Sequence, residues 1–274
     1  MKIALISDVH GNLTALKTVL DDIEKRGVDE IYCLGDTIAK GINSSECISL
    51  VREKCKVVLK GNTDDYYVVH TDDEDLGDKI YNKRVRFNQD LMSKEDMEYL
   101  NALPITHEFY LSGSLVRIFH SSPYSPYDRY SYVDPKNIKI KLFMPSEYTS
   151  DKWADIACYG HLHTQFQEKM YNRTLINVGS VGNSTDIVRD RMYDASPLET
   201  TQAFYTILEG EYGVTDKTKY PLVITNIRIP YDIEKELSYN EKNIELEAYT
   251  QELKNGMYRD YNLIKNDFES KLNK

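Results

Sequence analysis

Residues 3–12 read Ile3-Ala4-Leu5-Ile6-Ser7-Asp8-Val9-His10-Gly11-Asn12, and this stretch decides the fold. A short apolar strand run ends in a polar cluster, and Asn12 is placed to cap a helix. The apolar stripe of that helix is Leu13, Leu16, Val19, Leu20 and Ile23, and Gly27 ends it. Ile31-Tyr32-Cys33-Leu34 is the next strand run. A helix over about Ser44 to Lys54 follows, and then Val57-Val58-Leu59. Strand, helix, strand, helix, strand implies parallel strands joined by crossover helices.

Downstream the pattern changes twice. Residues 64–105 begin acidic, with Asp64, Asp65 and the run Asp72-Asp73-Glu74-Asp75, and then turn helical. Ser93-x-x-Asp96 has the form of a capping box opening a helix with Met97 and Leu100. This segment reads as a helical insertion. From residue 107 strands return: Phe109 to Leu111 and Leu115 to Phe119 form a hairpin around Ser112-Gly113-Ser114. Ile156 to Tyr159, Leu175 to Val178, Ala203 to Leu208 and Leu222 to Ile229 are further strands, and 121–136 is loop-rich. After Pro230 the chain is charged and helix-prone, with a break at Asn255-Gly256. The expected organisation is therefore a main domain over 1–230, with an insertion at about 64–105, and a C-terminal helical extension over 231–274.

Six polar motifs each follow a strand run directly. They are Asp8-Val9-His10-Gly11-Asn12, Gly35-Asp36, Gly61-Asn62-Thr63-Asp64, His120, Gly160-His161-Leu162-His163 and Asn177-Val178-Gly179-Ser180. Open α/β sheets bind ligands beyond the carboxyl ends of their strands, so these groups are expected along one sheet edge. Carboxylate, imidazole and amide oxygen suit Mn, Fe, Co, Ni or Zn. Asp8 and His10 are spaced i, i+2, as are His161 and His163, and in extended backbone each pair shares a face. With a second Asp, an Asn and another His, the set exceeds one ion's needs. Two ions about 3.5–4 Å apart, bridged by a carboxylate, use them all.

The ordered series DVHGN, GDTIAKG, GNTD, FHSSP, GHLH and NVGSVG resembles the calcineurin-like metallophosphoesterase superfamily, in the style of its compact bacterial phosphodiesterase branch. The resemblance covers roughly residues 1–230 and implies an α/β fold: a four-layer α-β-β-α sandwich of two mixed sheets. It implies two divalent cations per chain, Mn or Fe foremost. Asp8, His10 and His163 would bind the first, Asn62, His120 and His161 the second, and Asp36 would bridge. A hydroxide held between the ions would attack phosphorus in line with the leaving group. Asp36, Asn62, Asp64 and His120 are then the residues nearest the chemistry.

One position departs from the family pattern. Many members carry GNH, whose His is thought to assist the leaving group; here the residue is Thr63. A hydroxyl is a poor general acid at neutral pH, which disfavours monoesters of ordinary alcohols and favours nucleoside polyphosphate or aryl leaving groups. Asp64 stands either as a substitute acid or as a residue that orients Asn62.

Tyrosine is over-represented, 22 of 274 residues. Tyr124, Tyr127, Tyr130 and Tyr132 surround Arg129 just after His120. Two readings stand: rings that stack on a base with Arg129 at the phosphates, or a loop packed on its own aromatics. Tyr66 and Tyr67 are further substrate-binding candidates, and Arg189 and Arg191 either approach the substrate or solvate a loop. His107 reads as the opening of a strand, His70 as a surface residue, and Cys33 and Cys158 as core thiols.

The net charge of -10 argues against a stable nucleic-acid complex. Cys33, Cys47, Cys55 and Cys158 contain no C-x-x-C pair. Neither a signal-peptide core nor a membrane span is visible, so a cytoplasmic protein is expected. The expected partner is a small phosphorylated substrate of nucleotide type, with a homodimer through the C-terminal helices also open. Among substrates, diadenosine tetraphosphate cut asymmetrically to ATP and AMP is favoured. The alternatives are a broad-specificity or cyclic-nucleotide phosphodiesterase, a protein Ser/Thr phosphatase, and a non-enzymatic interaction scaffold of the same fold.

Overall fold

The computed structural model describes residues 1–69, 79–185, 202–240 and 247–255. His70, the 72–75 acidic run, Arg189, Arg191 and Gly256 lie outside the described residues. The strands among them are β1 (Lys2–Ile6), β2 (Glu30–Cys33), β3 (Val57–Val58), β4 (Thr106–Leu111), β5 (Ser114–Phe119), β6 (Ile156–Tyr159), β7 (Phe166–Met170), β8 (Arg173–Asn177), β9 (Gln202–Glu209) and β10 (Val223–Pro230). The helices are α1 (Leu13–Lys25), α2 (Ser44–Lys54), α3 (Asn62–Val69), α4 (Lys79–Asp90), α5 (Lys94–Asn101), α6 (Lys136–Lys139), α7 (Ile233–Asn240) and α8 (Glu247–Asn255), with a 3-10 turn at Ile140–Phe143.

Two mixed five-stranded sheets result, ordered β10-β9-β1-β2-β3 and β4-β5-β6-β8-β7. β1, β2 and β3 run parallel, as do β5, β6 and β8. Strand alternation explains how the sheets pack. Ile3 and Leu5 of β1 face the second sheet, joining Leu34, Val116, Ile118, Cys158 and Ile176 in the core between the sheets. Ala4 and Ile6 face the other way, against Leu16, Val19 and Ile23 of α1 and Val51 of α2. The outer face of the second sheet, with Ala157, Tyr159 and Leu175, is covered by Leu142 and Phe143 of the 3-10 turn. These four layers are the α-β-β-α sandwich the motifs imply. The thiols of Cys33 and Cys158 are fully buried.

Local signals act as the residues dictate. Asn12 Oδ1 accepts the Ala15 N–H at 2.9 Å, capping α1. Ser93 and Asp96 exchange both bonds of a capping box, at 3.1 and 2.9 Å. Ser112 and Gly113, at φ 48° and 79°, make the tight β4–β5 turn. β7 had no clear sequence signal. Its residues Gln167, Glu168 and Lys169 are polar because it is an edge strand, half-exposed and paired only with β8. No helix among the described residues is long and apolar enough to cross a membrane.

Arg117 of β5 ties this frame together. Its side chain has no exposed surface, pairs with Glu108 at 2.6 Å and donates to the carbonyls of Phe143, Met144 and Lys152. Arg117→Ala leaves a half-buried carboxylate without its cation and takes a donor from three carbonyls, of which Phe143 O keeps the Ala154 N–H. The expected loss in unfolding free energy is about 3–5 kcal/mol, read from urea denaturation of the metal-free chain.

Candidate metal centre

The parallel strands of both sheets deliver their carboxyl ends to one edge. Asp8 and His10 follow β1, Asp36 follows β2, Asn62 opens α3 after β3, His120 follows β5, and His161 and His163 follow β6. The two sheets are joined there directly: the His161 N–H donates to Asp8 Oδ2 at 2.9 Å, and the His120 ring bonds the Leu34 carbonyl at 3.0 Å.

The backbone at this edge is not extended, which corrects the i, i+2 argument. Asp8, His10, Asp36, His161 and His163 all take left-handed φ, between 52° and 63°. The side chains share one focus because the strands have ended and the chain has coiled. Such residues each carry a conformational cost and persist only where the surroundings hold them. Here the Asp8 N–H donates to Gly35 O at 2.9 Å, His10 N–H to Asp36 O at 3.0 Å and Gly160 N–H to His120 O at 2.9 Å.

Two adjoining donor clusters result. In the first, His163 Nε2 lies 3.3 Å and His10 Nε2 3.8 Å from Asp8 Oδ1, with His10 Nε2 3.7 Å from Asp36 Oδ2. In the second, Asn62 Oδ1 lies 3.0 Å from His120 Nε2 and 2.9 Å from His161 Nδ1, and Asp36 Oδ1 lies 3.5 Å from His120 Nε2. Asp36 thus offers one oxygen to each cluster. All seven residues named as ligands are brought together.

The chemistry of this set fits cations. His10 Nδ1 faces the carbonyl of Ile38 at 3.1 Å, His120 Nδ1 that of Leu34 at 3.0 Å, and His163 Nδ1 that of Asn183 at 2.7 Å. A carbonyl only accepts, so each Nδ1 donates to it and each ring turns its Nε2 inward, where a cation could take the lone pair. The Nε2 atoms of His10 and His163 lie 3.0 Å apart. Beside them Asp8 Oδ1 is fully buried and accepts no hydrogen bond. Ring nitrogens and carboxylate oxygens gathered this closely form a donor set suited to a cation.

Against this geometry, the family model described as the calcineurin-like phosphoesterase superfamily domain matches residues 1–193. The chain belongs to this superfamily. It is accordingly a metal-dependent phosphoester hydrolase. The chain is similar to an uncharacterized protein of Methanocaldococcus jannaschii, 29% identical over 243 residues, covering 88% of this chain and 92% of that one. Its fold is similar to a crystal structure of a metallophosphoesterase from Sphaerobacter thermophilus, with a TM-score of 0.67, 22% identity, and coverage of 94% and 99% of the two chains. A crystal structure of a Pyrococcus horikoshii protein gives 0.70, 17%, and the same coverage.

In this calcineurin-like site the charges are strongly coupled. Burial raises the Asp8 carboxyl, but His163, His120 and His10 outweigh it and hold Asp8 well below the ordinary range. Burial, and then the Asp8 charge, push Asp36 up to about 7. Burial and the neighbouring His120 lower His161 to about 3. His10 is held well below its ordinary value by burial, by His163 and by Lys40.

The remaining candidates fall into different places. Asp64 is fully buried, with its carboxylate taking the backbone N–H of Asp36, Thr37 and Gly61 at 2.7, 2.9 and 3.0 Å. That corrects the substitute-acid reading: both oxygens are turned to the backbone, and what they hold is the Asp36 loop and the start of α3. Tyr124 and Tyr127 are exposed, and Tyr127 Oη donates to Asp65 at 2.7 Å. Arg129 is exposed and near enough for its charge to depress the His161 titration. Tyr130 is partly buried against the Phe119–Tyr159 cluster. Tyr66 packs edge-on to Tyr67 at 5.1 Å. The residues missed from sequence are those behind the ligands: Leu34, Ile38 and Asn183 act through backbone carbonyls, which any side chain supplies. Ser180, quoted as a motif, is the exception, with Oγ donating to Asp8 O at 2.7 Å.

Below about pH 7 the metal-free chain keeps a proton on Asp36 that a cation must displace. Mn²⁺ affinity is therefore expected to climb with pH up to about 7 and level off above it. Calorimetry in buffers of different ionisation enthalpy should show proton release at about pH 6 that fades by about pH 8.5.

Proposed function

We propose that the chain hydrolyses a nucleotide-type phosphoanhydride or phosphodiester, with diadenosine tetraphosphate, cut asymmetrically to ATP and AMP, as its best substrate. Two divalent cations, Mn or Fe, complete the site. When bound they supply Lewis acidity at the phosphoryl oxygens and a water acidic enough to attack at neutral pH.

The observation that carries the substrate class is Thr63. Its N–H donates to Asp36 Oδ1 at 2.8 Å and its hydroxyl to the Ile38 carbonyl at 3.2 Å. The side chain is thus tied down behind the bridging carboxylate, and it has no proton of suitable acidity to give. With Asp64 facing the backbone, neither residue after Asn62 protonates a leaving group. A substrate suited to this site brings a leaving group that is stable as an anion, as the phosphate of a nucleoside polyphosphate or an aryl oxide is.

The chain's own residues then bind and orient. Arg129, whose charge reaches His161, is the cation available for the phosphates beyond the one attacked. Tyr124 and Tyr127 present exposed rings on the same loop, able to stack on a base. Asn62 holds its amide oxygen between two histidines and has its nitrogen left to meet a phosphoryl oxygen.

The test is chromatography of products from diadenosine tetraphosphate, cyclic nucleotides, bis-aryl phosphate and a phosphopeptide, with Mn²⁺ and with chelator. ATP and AMP in equal amounts from the first, at the highest kcat/KM, is the expected result. Asn62→Ala should lower turnover by two orders of magnitude or more, an effect of about 3 kcal/mol, without changing the far-UV spectrum. Turnover of the phosphopeptide alone would refute the substrate class.

A further inference from the structure

We infer that the C-terminal helix α8 completes the first cation site, with Glu252 as a positioning residue that fixes the two loops standing behind His10 and His163. The inference rests on the reading that these histidines hold a cation, and it goes beyond it by assigning a part to a helix outside the family-matched residues.

The relay can be followed atom by atom. His163 is oriented by its Nδ1–H to the Asn183 carbonyl at 2.7 Å, and the Thr185 N–H returns to His163 O at 3.0 Å. The 180–185 loop is therefore the wall against which His163 leans. The Asn183 side-chain amide donates to Glu252 Oε2 at 2.5 Å. The same oxygen accepts Lys40 Nζ at 3.0 Å. Lys40 belongs to the loop behind the other histidine: Ile38 O accepts from the His10 ring at 3.1 Å, and the Gly41 N–H donates to His10 O at 2.8 Å. One carboxylate oxygen thus joins the supports of two ligands that are 153 residues apart in sequence.

Two further observations place weight on this joint. Ala39 and Lys40 are consecutive non-glycine residues at φ 71° and 70°. A loop held in that conformation needs an external tie, and Glu252 is one. Tyr249, one turn earlier on α8, is buried and donates its hydroxyl to Gly182 O at 3.0 Å. Asn12 donates to the same carbonyl at 3.0 Å. Gly182 in turn sends its N–H to Asp8 O at 3.0 Å, so the second contact of α8 runs to the remaining ligand of the site. The apolar face of α8 is satisfied separately, by Tyr249 and Leu253 against Leu237 of α7.

Supports of this kind change metal affinity by about ten- to a hundredfold when removed. The experiment is calorimetric titration of the metal-free full chain with Mn²⁺, together with its melting temperature without metal. Wild type should take up two ions; uptake of none would remove the cation reading itself, separately from this inference. Glu252→Ala should weaken one of the two ions about ten- to a hundredfold and spare the other. Glu252→Gln, which keeps an oxygen for Asn183, should recover most of that loss. Asn183→Ala keeps the carbonyl behind His163 but loses the tie, so it should match Glu252→Ala; it also carries the test if Glu252→Ala does not fold. Leu253→Ala, which disturbs only the packing of α8, should lower the melting temperature and leave both affinities in place. Unchanged Mn²⁺ binding in both Glu252→Ala and Asn183→Ala would overturn the inference. So would a loss in Leu253→Ala equal to that in Glu252→Ala, which would make the helix mere packing.

Discussion

Crowding of buried imidazoles and carboxylates at one focus organises this molecule. His10 and His163 face each other through their Nε2 atoms at 3.0 Å, next to a buried Asp8 oxygen without a hydrogen-bond partner. Side chains free to rotate would turn away from such crowding. They do not, because each ring is held from behind by a carbonyl and each backbone is locked in the left-handed region. The fold invests conformational strain and buried charge in a geometry that only positive charge relieves. Asp36 shows the same tension: beside ionised Asp8 it holds a proton that a cation would replace.

The sandwich is what makes such crowding possible. Parallel strands in two facing sheets end along one edge, so ligands from distant parts of the chain arrive within a few ångströms. The approach is so close that side chains are excluded. A Cβ on Gly160 would run into the Asp8 carboxylate and Ser7, and one on Gly61 into the Asp36 carboxylate. Asp64 adds a second level of control. By accepting the N–H of Gly61 it forms half of a capping box at the start of α3, and by accepting those of Asp36 and Thr37 it fastens that helix to the loop after β2. The Asp36 side chain then accepts the Thr63 N–H of the same helix end. The Asp36 carboxylate, the start of α3 and Asn62 are therefore tied to one another.

Much of this is legible in the sequence, for physical reasons that differ from residue to residue. The apolar runs of β1 and β6 stand out because they are buried on both faces, and the ligands stand out because they follow those runs at once. Asn12 and the Ser93–Asp96 box are local interactions, written in a few adjacent letters. The spacing of Asp8 and His10 led to the right pairing on a mistaken premise, since left-handed coiling, not extension, brings them together. β7 escaped because an edge strand needs polar residues and loses its alternating signature. The carbonyls of Leu34, Ile38 and Asn183 are invisible in principle: a backbone atom leaves no trace in residue type. Asp64 stayed open between acid and orienting residue because nothing in its letter says which way the carboxylate turns.

Glu252 belongs to this last kind, and its energetics argue for a purpose. Burying a carboxylate with a lysine generally gains less than an apolar pair of the same volume, because both ions lose their water. Glu252 is only 9% exposed and Lys40 is also largely covered, with a side chain 21% exposed. A helix that served only to cover the sheet edge could have met the 40 and 183 loops with leucine and been more stable for it. What leucine cannot do is fix direction: one oxygen, accepting an ammonium and an amide at once, ties the two loops at hydrogen-bond distance. That constraint has value only where something downstream is sensitive to such a shift. The imidazoles of His10 and His163, whose Nε2 atoms lie 3.0 Å apart beside Asp8, are sensitive in that way.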